Sequence, residues 1–87
     1  MEDIFELIKT LLITETSNSE AVFKYEIFRS TDKENALWLV KPYKKVSIQI
    51  DKVLQEVWVN QADKNFPPNH VLSVIIDDCR IHFHENK

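Results

Sequence analysis

A chain of 87 residues with 44% hydrophobic and 29% charged side chains has the make-up of a single ordinary globular domain. Its formal charge of −3 and pI near 5.5 argue against a general nucleic-acid binder, whose affinity rests on Lys and Arg displacing counterions from phosphates. The absence of glycine excludes phosphate-cradling loops, dinucleotide fingerprints, EF-hand loops and nucleophile elbows, which all need positive φ or close backbone approach.

The first residues, Met-Glu-Asp, are acidic where a secretory leader would be basic, and the apolar stretch behind them is broken by Glu6, Lys9 and Thr10. Within it Ile4, Leu7, Ile8, Leu11 and Leu12 recur at helical spacing, which predicts an amphipathic helix over residues 2–13. Glu2, Asp3 and Glu6 would lie in its first turns, where unsatisfied N–H groups favour negative charge. The Ser, Thr and Asn residues of 14–20 read as a loop. From Ala21 the period changes to two, with Phe23, Tyr25 and Ile27 on one face and Lys24 and Glu26 on the other, predicting a strand that ends near Ser30. After a polar turn over 31–34, the run Ala36-Leu37-Trp38-Leu39-Val40 suits a strand covered on both faces. Pro42 is expected to stop that ladder, and Val46, Ile48 and Ile50 then alternate as a third strand.

The segment from Asp51 to Asp63 supports two readings. Val53, Leu54, Val57, Trp58 and Ala62 form a helical stripe with Asp51 as N-cap, which is the reading adopted. Against it, Val57-Trp58-Val59 is β-branched and aromatic, and Ile50-Asp51-Lys52-Val53 has the form of a hairpin turn. Pro67 and Pro68 hold the next loop extended. In the last segment a turn at Asp77-Asp78 would set Ile76 opposite Cys79, Val74 opposite Ile81 and Leu72 opposite Phe83, predicting a terminal hairpin. The expected fold is therefore α+β: an antiparallel sheet of four or five strands, with the N-terminal amphipathic helix and a second helix on one face.

The candidate sites each have a plainer alternative. In the hairpin register His82 and His84 project from one face with Arg80 and Ser73, forming a polar patch that could hold an anion, a metal or a proton. Such a face also serves simply as the solvated side of an edge hairpin. The chemistry is incomplete, because no third ligand, orienting acid or oxyanion hole is evident, so no metal or cofactor is expected. Cys79, the only cysteine, reads as a small hydrophobe and precludes an intrachain disulfide. Lys41, Lys44 and Lys45 around Tyr43 make the only basic cluster. Trp38 and Trp58 read as core. Phe66, held extended by the prolines, is either an aromatic anchor for a partner or a cover for the end of the sheet.

These features favour a protein-binding module, such as an inhibitor, immunity protein or adaptor acting by surface complementarity. Phe66 and the acidic Glu2, Asp3 and Glu6 are its expected contact residues. The alternative is a homo-oligomeric ligand-binding or enzymatic domain, for instance a homodimer, whose shared site uses Arg80, His82 and His84. A cytoplasmic protein is expected, since no stretch of about 18 apolar residues is present to span a bilayer.

Overall fold

Phe23, Tyr25 and Ile27 alternate along a ten-residue strand and are almost completely buried, and this stripe organises the molecule. A computed structural model describes residues 4–14, 21–31 and 36–86. Strands β1 (Phe5–Thr14), β2 (Ala21–Ser30), β3 (Trp38–Ile50) and β4 (Val53–Asn60) form an antiparallel meander. The short β5 (Lys64–Phe66) pairs with the first residues of β3, and one helix, α1 (Leu72–Asn86), closes the described chain. Glu2, Asp3, most of the 14–20 loop and Asp32, Lys33 and Glu34 of the expected polar turn lie outside the described residues.

The N-terminal helix expected over 2–13 is not formed: Phe5–Thr14 is the edge strand β1. Leu11 and Ile13 stand opposite Tyr25 and Phe23 and pack on the core. A register shift between Leu7 and Lys9 then reverses the alternation, so that Leu7 sits opposite Phe28 on the other face. The apolar residues are thereby distributed over both faces, and a strand of that kind carries the same i, i+3, i+4 pattern as a helix.

The second expected helix is also absent. Asp51 and Lys52 both adopt positive φ (50° and 67°), making a two-residue turn that joins β3 to β4 in register from Ile50↔Val53 to Tyr43↔Asn60. Pro42 does not end β3. Its carbonyl accepts the Gln61 N–H at 2.7 Å on the side away from β2. Because N–H and C=O of one strand residue point the same way, its ring nitrogen faces the junction between β4 and β5, where no ladder bond is lost.

The terminal hairpin is replaced by α1. Leu72, Ile75, Ile76, Cys79 and Phe83 form a helical stripe, and Ile75, Cys79 and Phe83 are buried against Phe23, Tyr25, Ile27, Trp38 and Val40. Asp77 and Asp78 are mid-helix rather than a turn. The Trp38 indole N–H donates to the His70 carbonyl at 3.0 Å, fixing where the chain enters the helix. At the other end the Asn86 amide donates to the His82 carbonyl at 2.8 Å. The fold is thus a mostly antiparallel sheet carrying one C-terminal helix on one face, in place of an N-terminal and a second helix.

Candidate functional site

The expected Arg80, His82 and His84 patch is divided by the helix. Residues four apart share a helical face, so Arg80 and His84 stand together, while His82 is turned away from both. The His82 Nδ1 and the Tyr25 hydroxyl are hydrogen-bonded at 2.7 Å, and the His82 ring meets Phe23 and Tyr25 edge-on. Burial, followed by the nearby Cys79 and Asp78, raises the Tyr25 pKa far above the usual tyrosine value. Burial likewise pushes the Cys79 thiol up to about 11, with Asp78 adding and Lys64 opposing. A thiol held neutral in this way is a poor nucleophile and metal ligand. Only about 20 Å³ of space adjoins Tyr25, Cys79 and His82, room for about one water and too little for a ligand. Among the described residues no three His, Cys, Asp or Glu side chains converge as a metal would require.

The basic cluster is also divided. Lys44 lies on the helix-covered face, its ammonium 5.9 Å from the Phe23 ring, whereas Lys41, Tyr43 and Lys45 lie on the far face. There Lys41 meets Asp63 at 3.8 Å and Lys45 meets Glu56 at 3.1 Å. Lys24 lies over both Tyr43 and Trp58, at 4.7 and 5.1 Å. Hydrogen bonding to Glu26 raises the Tyr43 pKa. The lysine stems cover the aromatic rings while the acids neutralise the heads, so this face is largely satisfied within itself. Phe66 stands opposite Trp38 in the sheet, half-buried against the core, with its ring 5.6 Å from that of His70. Glu6 is exposed on β1 opposite Arg29.

What remains open is the strip between β1 and α1. A groove of about 430 Å³ is lined on one side by Leu11, Leu12, Ile13 and Thr14 and on the other by Ile76, Arg80, Phe83 and His84. Four consecutive strand residues can line one groove only if it follows the backbone edge, because alternate side chains leave on opposite faces. That edge is free: among the described residues β1 pairs with β2 alone. The floor is apolar and the rim carries Arg80 and His84. Among the described residues Arg80 forms an ion pair with the solvent-exposed Asp77, at 3.7 Å. The sequence signals for this site were the apolar residues of β1 and the pairing of Arg80 with His84, but they join only when 5–14 is a strand and 72–86 a helix. No protein-family model, curated protein or solved structure matches this chain. The groove must therefore be interpreted from its own chemistry.

Proposed function

We propose that this protein is a protein-binding module, an inhibitor or adaptor, that takes an extended segment of its partner as an added strand on the outer edge of β1. The observation that carries this reading is the unpaired, apolar edge strand running beside the groove. Natural edge strands are usually short, charged or covered. This one is ten residues long and exposes Leu7, Ile8 and Leu12. Strand addition would satisfy its free main-chain donors and acceptors, while alternate side chains of the guest reach the floor formed by Leu11, Ile13, Ile76 and Phe83. Arg80 and His84 favour a guest carrying a carboxylate at that end. No helix among the described residues is long and apolar enough to cross a membrane.

A decapeptide selected from a displayed random library tests the reading. The selected sequence should alternate apolar residues and carry an acidic residue or free C-terminus. N-methylation of its alternate amides should abolish binding in one parity and spare it in the other, because only one edge of an added strand faces β1. Arg80→Glu should weaken binding by about tenfold, the loss of a charge-assisted contact. Equal tolerance of both methylation patterns would overturn the proposal.

A further inference from the structure

Among the described residues, a second surface, toward the opposite edge of the sheet from the groove, has no cover. Beyond Lys44 no residue of β3 pairs with β2, so Lys45–Ile50 and β4 continue as a two-stranded arm joined by the Asp51-Lys52 turn. The register places Val46 with Val57, Ile48 with Gln55 and Ile50 with Val53 on the helix-covered side of the sheet, with Lys44 and Val59 at the base. None of these residues packs into the core: Ile48, Ile50, Val53 and Val59 are 38%, 48%, 57% and 42% exposed. An isolated two-stranded hairpin is marginal in water, and β-branched residues ordinarily occupy such a face to be packed against something.

The molecule's dimensions agree with a missing cover. Its radius of gyration is 15.1 Å, whereas a compact domain of this length has about 12 Å. It exposes 6342 Å², about 1,000 Å² more than a compact monomer of this mass.

We infer that the cover is a second copy of this chain, with the two arms packed face to face and antiparallel about a twofold axis. The six apolar side chains are then self-complementary, as an isologous contact requires. The charges favour the same orientation. The arm from Lys44 to Ile50 spans about 20 Å. Antiparallel packing lays the tip of each arm on the base of the other, setting Asp51 of one copy against Lys44 of its mate. An arm of this length and two strands' width buries on the order of 1,000 Å² in total, at the low end for interfaces between proteins.

Sedimentation velocity on the full chain, from about 1 to 500 µM, tests this. The wild type should pass from monomer to dimer. Ile50→Lys, at an exposed position away from the core, should remain folded by circular dichroism and stay monomeric. Lys44→Asp and Asp51→Lys should each weaken self-association by about tenfold, since each opposes like charges across the twofold. Mixing the two variants should restore a heterodimer, because every contact in the mixed species is then opposite in sign. A wild type that is monomeric throughout would overturn the inference. So would a dimer unaffected by Ile50→Lys, or one dissolved by Leu7→Lys on β1 instead. Peptide capture at the groove is read separately, because it uses the β1 edge; a dimer dissolved by Leu7→Lys would instead place self-association on that edge.

Discussion

Replacing Lys52 by glycine should stabilise the β3–β4 arm. Asp51 and Lys52 hold φ of 50° and 67°, the left-handed region that an L-residue enters at a cost of about 1–2 kcal/mol. Asp51 offsets part of that cost because a short polar side chain bonds to nearby backbone; Lys52 has no such compensation. Glycine removes the steric penalty but loses about 0.5–1 kcal/mol more backbone entropy on folding, leaving a net gain of about 0.5–1 kcal/mol. The resulting Asp-Gly pair is the preferred chemistry for this two-residue turn. Because the arm extends beyond the core, the gain belongs to its local opening equilibrium, read by native-state hydrogen exchange. Amides of Ile48, Ile50 and Val53 whose exchange is limited by that opening should slow by about two- to fivefold, while those of the β2 core remain unchanged. If arm opening is coupled to global unfolding, Tm should rise by roughly 3–5 °C as well. Unchanged or faster exchange in the arm would refute the turn geometry and, with it, the register that defines the apolar face.

Two further predictions concern the buried layer between sheet and helix. The Cys79 thiol is raised to about 11 from an ordinary value of 9.0, so the unfolded chain ionises first as pH rises. This contribution to stability is complete below pH 9 and is lost as pH rises toward 11, with the raised Tyr25 phenol acting in the same direction above pH 10. Urea midpoints measured from pH 7 to 11 should fall across that window, less steeply in Cys79→Ala, and a midpoint flat with pH would contradict the burial. Tyr25→Phe leaves the inward-facing His82 Nδ1 without its 2.7 Å partner and should cost about 1–2 kcal/mol in chemical denaturation, whereas Ser73→Ala on the exposed side of α1 should cost under about 0.5. A Tyr25→Phe protein as stable as the wild type would mean that this bond contributes nothing.

The fold could be read from the residues only where they satisfied one period. β2 was legible because Phe23, Tyr25 and Ile27 alternate against Lys24 and Glu26, and only a strand separates those sets. The N-terminal and C-terminal segments were misread in opposite directions for one reason: each carries apolar residues that fit both periods. Ile4, Leu7, Ile8, Leu11 and Leu12 imitate a helix because the shift between Leu7 and Lys9 sends the apolar residues of one strand to both of its faces. Val71, Val74, Ile75, Ile76 and Ile81 favour a strand by propensity, yet Leu72, Ile75, Cys79 and Phe83 bury a better face as a helix. Around Asp51 the hairpin-turn alternative was visible in the sequence, but the absence of glycine concealed how strongly the chain would use it.

The sequence alone determined the chemical limits of this protein. Without glycine it has no glycine-rich phosphate loop, and with one cysteine it has no internal disulfide. Tertiary structure decided which residues meet. It separates His82 from His84, divides Lys44 from Lys41 and Lys45, and brings Arg80 and His84 beside Leu11 and Ile13 across more than sixty residues of chain. The physical reason is that local preferences between strand and helix differ by about 1 kcal/mol per residue or less, while burying one large apolar side chain contributes about 1.5–3 kcal/mol. The shared burial of Phe23, Tyr25, Ile27, Ile75, Cys79 and Phe83 therefore selects the conformation of both ends at once.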